Sequence, residues 1–176
     1  MSTLAETTPI QAQRSGLTLT ALFLAIVMAM TVGTALAFQH FGGYIPCKLC
    51  LEQRIPYYIG VPLMAVAAIA SLAGAPRVVV RVLLTIGGGL MLWGLYMGVY
   101  HSGVEWSWWP GPTDCGAVSG ETEQGRTVLD MLDEVVPPSC DKATLRILGL
   151  SFAGWNAVAS LVLAAVAFRG ALLRRN

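Results

Sequence analysis

Two cysteines with two residues between them, Cys47 and Cys50 in the stretch Pro46-Cys47-Lys48-Leu49-Cys50-Leu51-Glu52-Gln53-Arg54, are the groups in this chain best suited to chemistry. Sulfurs at that spacing can close into a small disulfide ring or clamp a metal. A nearby cation favours the thiolate, the form that attacks disulfides. Arg54 comes four residues after Cys50; if a helix begins near Cys50, Arg54 stands one turn on, on the same face. Lys48, inside the pair, is a second local cation. Two further cysteines, Cys115 and Cys140, are 25 residues apart. His40 and His101, each taken alone, read as interface residues making ordinary hydrogen bonds.

The elements that must hold these residues are set by composition. The chain is 55% hydrophobic and only 12% charged, about half the charge of a soluble domain. Its mean hydropathy is +0.64, and the apolar residues are blocked into long runs. This is the pattern of an integral membrane protein. A net charge of +1 gives no bulk attraction to nucleic acid or to an acidic partner.

Four runs are long enough to cross a hydrocarbon core, which takes roughly 20 helical residues. They fall at approximately 17–38, 56–73, 78–100 and 147–168. The spacing therefore predicts an all-α membrane protein, a single four-helix transmembrane bundle covering residues 1–176. Residues 1–16 read as a short disordered tail. Ala35-Leu36-Ala37 resembles a signal-peptidase site, but the run before it is longer than a signal's apolar region. Pro56 suits the first turn of the second helix, and Gly74-Ala75-Pro76-Arg77 is a tight turn. Gly87-Gly88-Gly89 and Gly94-x-x-x-Gly98 would let a neighbouring helix approach the third span closely.

The two outer loops are 39–55 and 101–146, and between them they hold both cysteine pairs. In the second loop Val128, Leu129, Leu132, Val135 and Val136 share a helical face opposite Asp130, Asp133 and Glu134. That pattern predicts a short amphipathic helix lying on the bilayer or the bundle. Trp106, Trp108 and Trp109 read as an interfacial anchor. With both termini on one side, that side carries Arg14, Arg77, Arg81, Arg169, Arg174 and Arg175 against the single acid Glu6. The other side carries five bases, three of them in the long loop, so the bias over short loops puts the termini in the cytoplasm. Both cysteine pairs then face an oxidising compartment, as paired cysteines prefer.

Three readings of the cysteines stay open on spacing alone. Structural disulfides would suit Cys115 and Cys140, but a C-x-x-C bridge closes a loop too small to stabilise much by chain entropy. A four-cysteine metal site usually has two C-x-x-C knuckles, and the second pair lacks that spacing and has no histidine beside it, so no metal is expected. A redox relay, in which a membrane-boundary pair exchanges with a loop pair, accounts best for the arrangement.

The chain also resembles the DsbB family of quinone-linked thiol oxidases of the bacterial inner membrane, across nearly its whole length. The resemblance rests on Phe38-Gln39-His40 ending the first span and on Pro46-Cys47-x-Leu49-Cys50-x-x-x-Arg54. It continues with His101 after the third span, Pro110-x-Pro112 before Cys115, and Cys140 leading to Leu148-Gly149-Leu150 and Trp155. It implies that a reduced DsbA-like periplasmic carrier attacks Cys115, and that the released Cys140 attacks Cys47 and frees Cys50 as thiolate. It further implies that Cys50 passes electrons to a bound quinone (ubiquinone or menaquinone), with Arg54 stabilising negative charge and His101 near the ring. A strong oxidant such as DsbA needs an acceptor of higher potential, which a quinone offers. The rival readings are a non-catalytic scaffold with two structural disulfides, and a reductase drawing electrons from the cytoplasm. The reductase would want cysteines on the inner side or in a span, and the sequence has none there.

Overall fold

The computed structural model describes residues 9–112, 140–143 and 145–172. Its elements are α1 (Pro9–His40), α2 (Lys48–Glu52), α3 (Ile55–Leu72), α4 (Arg77–Glu105), β1 (Arg146–Ile147), β2 (Leu150–Ser151) and α5 (Phe152–Leu172). Four segments are long and apolar enough to cross a membrane: Arg14–His40, Lys48–Leu72, Arg77–Glu105 and Phe152–Leu172. Neighbouring helices pack as α1 on α3, α3 on α4, α4 on α5 and α5 on α1, which closes a four-helix bundle. The expected fold class is what the chain adopts. The amphipathic helix expected at 128–136 lies outside the described residues.

Inside a bilayer every backbone and hydroxyl group must find its partner within the protein. The helices do this locally. Thr18, Thr31 and Thr34 in α1 donate to the carbonyls of Arg14, Val27 and Met30 at 2.8–3.0 Å, and Ser102 in α4 donates to Gly98 at 2.8 Å. Large side chains such as Phe23, Ile26, Ile69 and Trp93 face outward, half exposed or more in the isolated chain except Phe23 at 49%. The interior is built from Leu24, Met28, Met64, Leu84, Met91 and Leu163 with many alanines. Lipid tails are as apolar as leucine, so close fit rather than hydrophobic burial holds such helices together.

That fit is tightest between α4 and α5, the most extensive helix pair. A Cβ at Gly98 would come within 2.9 Å of the Ala157 backbone nitrogen, and one at Gly94 within 2.9 Å of Ser160 Oγ. The Gly94-x-x-x-Gly98 pattern therefore seats α5 backbone against α4, while Gly89 faces open space.

Helix ends differ from the sequence boundaries in instructive ways. Residues 9–16, expected in a disordered tail, continue α1, because adding turns to an existing helix costs little once it is nucleated. The same helix buries Leu17, Ala21, Leu24, Met28 and Val32 in the core, so it is part of the bundle. At the other end α4 runs past Tyr100 to Glu105 and carries His101 within its last turns. Residues 146–151 form a small hairpin, with Leu148 at φ 52° and Gly149 at φ 84° in its turn. Helix α5 begins only at Phe152, where Ser151 Oγ accepts from the Gly154 N–H at 3.2 Å. Trp155 Nε1 donates to Ile147 O at 3.0 Å and ties the hairpin to the helix. The turn between α3 and α4 is as expected, with Gly74 at φ 86° and Pro76 preceding α4.

Gly98→Ala should cost about 1–3 kcal/mol, the usual penalty for overpacking a closed interface. Gly89→Ala, which meets nothing, should stay within about 1 kcal/mol of the parent. Thermal unfolding of the two variants in detergent measures the contrast, and equal stability would rule out the proposed backbone seat.

Candidate functional site

The dithiol sits on the short helix between α1 and α3. Cys47, with φ −75° and ψ 171°, caps α2, and its sulfur accepts from the Cys50 N–H at 3.4 Å. The two sulfurs are 3.0 Å apart and both thiols are free, so the pair is in its reduced form. Cys47 is buried, whereas Cys50 keeps partial exposure. Cys140 is disulfide-bonded, and neither Cys47 nor Cys50 is its partner. It is nonetheless buried in one small cluster with Cys47, Leu49, Met97 and Val104, with Cys50 packed at its edge. Cys115 lies outside the described residues.

A hydrogen-bonded chain that the sequence did not announce leads to Cys47. Tyr57 OH donates to Asn156 Oδ1 at 2.8 Å, and Asn156 Nδ2 donates to Gln53 Oε1 at 2.7 Å. Gln53 Nε2 then meets His101 Nδ1 at 2.7 Å. With that nitrogen accepting, the imidazole carries its proton on Nε2, which faces Cys47 Sγ at 3.8 Å. Ser160 Oγ, fully buried, closes the far end 3.0 Å from Tyr57 OH. Every link points its donor toward the sulfur.

These donors decide which thiol ionises. The Cys47 thiol is brought down from 9.0 to about 4, chiefly because Cys50 shares its S–H with it. Burial opposes this, and His101 and the Cys50 N–H add to the lowering. Either sulfur could hold the shared proton, but the backbone N–H and the imidazole converge on Cys47, so its thiolate is the better solvated one.

On the other side of the dithiol lies a cavity of about 350 Å³. Cys50 and Arg54 both line it, as do Gln39, Gln53 and Asn156. Its apolar wall includes Phe38, Tyr44 and Phe152, whose rings meet edge to face at 5.1–6.2 Å. Arg54 Nη1 donates to Gln39 Oε1 at 2.5 Å. His101 stands behind the dithiol against Cys47 and is not among the residues lining the cavity. His40 is exposed at the end of α1. Trp109 Nε1 donates to Tyr100 O at 2.9 Å at the end of α4, where an interfacial anchor belongs.

Sequence reasoning reached Cys47, Cys50, Arg54 and His101 but passed over Gln53, Tyr57, Asn156, Ser160 and Glu105. A usable signal existed for two of them. Asn156 and Ser160 fall at i and i+4 within an apolar span, and polar side chains in such spans are expensive unless they serve something.

Four membrane helices that present a reactive dithiol beside an apolar cavity define a multi-pass membrane protein of thiol–disulfide chemistry. The comparisons with known proteins agree. The family model for Disulfide bond formation protein DsbB matches residues 17–169. A Disulfide bond formation protein B of Aromatoleum aromaticum is 30% identical over 158 residues, covering 84% of this chain and 89% of that protein. The chain belongs to the DsbB family, whose members carry out disulfide bond formation, an oxidoreductase activity. No solved structure matches it.

The reduced protein should keep its ultraviolet thiolate absorbance from about pH 8 down to about pH 5, where an ordinary thiol would have lost it. The folded-state value lies below 9.0, so ionisation stabilises the reduced fold in full above that pH and progressively less as pH falls toward about 4. Cys47→Ser should remove the acidic step. A single titration in the ordinary thiol range would overturn the assignment.

Proposed function

We propose that this protein oxidises the dithiol of a DsbA-like periplasmic carrier and passes the two electrons to a membrane quinone. The observation that carries the reading is the double-sided placement of the C-x-x-C pair. Cys47 packs with Cys140, while Cys50 shares an apolar cavity with Arg54. The cavity suits a quinone ring: its walls are mostly apolar, and Arg54, Gln39 and Asn156 supply polar groups for ring oxygens. Arg54 and Asn156 would hold the ring, and a quinone bound there accepts two electrons and two protons.

The exchange steps balance within the chain. A carrier thiolate attacks Cys115, the Cys115–Cys140 bond breaks, and Cys140 leaves as thiolate. Cys140 attacks Cys47 of the oxidised pair; the Cys47–Cys50 bond breaks and Cys50 becomes the thiolate. The carrier's second thiol resolves its mixed disulfide and leaves oxidised. The freed Cys115 then reclaims Cys140, leaving both electrons on Cys47 and Cys50. His101, held by Gln53, stabilises Cys47 whenever it is the leaving or attacking sulfur. Arg54 offers its positive charge to Cys50 on the cavity side. The distribution of basic residues supports termini in the cytoplasm and both cysteine loops in the periplasm, across a bacterial inner membrane.

The test is quinone reduction by the purified protein, followed optically, with a reduced DsbA-like carrier as donor. Turnover is expected in the parent and lost in Cys50→Ser and in Cys115→Ser. Arg54→Met should lower turnover per unit quinone by about 10–100-fold, as loss of a charged hydrogen bond implies. Absence of turnover with both ubiquinone and menaquinone, or turnover that survives Cys50→Ser, would reject the reading in favour of a scaffold with structural disulfides.

A further inference from the structure

Glu105 takes no part in the exchange steps, yet it is one of the most confined charged groups among the described residues. It lies one turn beyond His101 on α4, with its side chain only 5% exposed. Its Oε1 is 3.9 Å from His101 Nε2, and its Oε2 is buried with no hydrogen-bond partner. A buried carboxylate oxygen without a partner carries a desolvation cost that a cation would relieve.

Its neighbour His101 belongs to a cluster of residues that are metal ligands by type. Cys47 Sγ, Cys50 Sγ and His101 Nε2 all lie within 4.8 Å of one another. Glu105 is not part of that cluster, but its Oε1 is 3.9 Å from His101 Nε2. A side-chain shift would bring a carboxylate oxygen to complete two sulfurs and one imidazole nitrogen, a donor set that zinc takes in tetrahedral geometry. The sulfurs, now 3.0 Å apart, would need to open to roughly 3.7 Å to accept Zn–S bonds of about 2.3 Å, a side-chain adjustment for the partly exposed Cys50. Two thiolates, one carboxylate and a divalent ion leave one net negative charge, and Arg54 stands beside Cys50 to face it.

The hydrogen-bonded chain behind His101 can run in either sense, the reversed one giving up only the 3.4 Å bond from Asn156 Nδ2 to Gly94 O. If both amides turn, His101 Nδ1–H donates to Gln53 Oε1, and Gln53 Nε2 donates to Asn156 Oδ1. Asn156 Nδ2 then donates to Tyr57 OH, and Tyr57 donates to Ser160 Oγ. His101 Nε2 is thereby freed as a lone pair toward the sulfurs, and Gln53 becomes the partner that a metal-bound imidazole characteristically has.

We propose that the reduced dithiol, together with His101 and Glu105, forms a binding site for zinc or a similar thiophilic divalent cation. Binding replaces the thiol protons with metal–sulfur bonds, releases those protons and moves no electron. The oxidised pair has no thiolate to offer, so the site exists only in the reduced state. Where the proposed electron transfer operates, the ion competes with the acceptor for the same sulfur electron pairs and holds the protein reduced. That consequence rests on the proposed function; the site does not.

The test uses the full-length protein in detergent, metal-free and reduced with a phosphine, titrated with Zn²⁺ against a chromophoric chelator. Co²⁺ in parallel reports thiolate-to-metal charge transfer. One ion per reduced chain is expected, and none in the chain oxidised beforehand; because the phosphine also frees Cys140, the variants assign the ion to this site. Cys50→Ser should abolish the charge-transfer band from this site, Glu105→Gln should weaken binding at least about tenfold, and Gln53→Leu about 10–100-fold. Equal binding by reduced and oxidised chains, or affinity untouched by Cys50→Ser and Glu105→Gln, would overturn the proposal. The metal-free turnover assay separates the two readings. Turnover without zinc binding sinks only this site, and zinc binding without turnover leaves it standing while the oxidase reading falls.

Discussion

The arrangement depends on a constraint imposed by the bilayer: a polar side chain inside the bundle has no water to turn to. Tyr57, Asn156, Gln53 and His101 therefore have to satisfy one another, and the lengths of their bonds, 2.7–2.8 Å, show that they do. The result is more than satisfied polar groups. Because the chain links α3, α5, the α2–α3 junction and α4 in sequence, the imbalance at its end falls on one group, the imidazole N–H facing Cys47. A single unsatisfied link would cost about 1–3 kcal/mol in a dry interior. The imidazole ring is thus held in place by the expense of breaking any one of these links.

Packing has to bring those four side chains within reach, and small residues make this possible. Gly94 and Gly98 let α5 lie against the α4 backbone, which carries Asn156 to the same depth as Gln53. Asn156 Nδ2 also comes within 3.4 Å of the Gly94 carbonyl, so the glycine that admits the helix also receives its polar side chain. A bulkier residue at either position would move α5 and break the chain at its middle. The helix-packing pattern and the chemistry of the dithiol are thereby coupled, although no glycine touches a sulfur.

How far this was legible in the sequence follows from the same physics. The spans were readable because length and apolarity are properties of each segment by itself. The C-x-x-C pair and Arg54 were readable because their spacing is local. Gln53 was not, since a glutamine next to a cysteine pair resembles any surface glutamine until the partner from α5 is known. Glu105 was hidden for a related reason. Hydropathy falls at Tyr100 and suggests the third span ends there, whereas the helix continues to Glu105 and keeps that carboxylate buried. Hydropathy alone puts the start of α5 five residues early because Ile147 to Leu150 is apolar, and apolarity does not separate a hairpin with positive φ at Leu148 and Gly149 from a helix.

The two sulfurs of one motif have separate surroundings. Cys47 is buried among Leu49, Met97, Val104 and Cys140, with an imidazole and a backbone N–H directed at it. Cys50, 3.0 Å away, borders the cavity with Arg54. A thiol–disulfide exchange needs its attacking and leaving sulfurs to approach along the S–S axis, and only one of a bonded pair can meet a given partner that way. With Cys140 on one side and the cavity on the other, a partner reaching Cys47 and a partner reaching Cys50 would have to come from different directions. That separation follows from where α2 sits, at the seam between the loop cluster and the bundle, rather than from either cysteine's intrinsic reactivity.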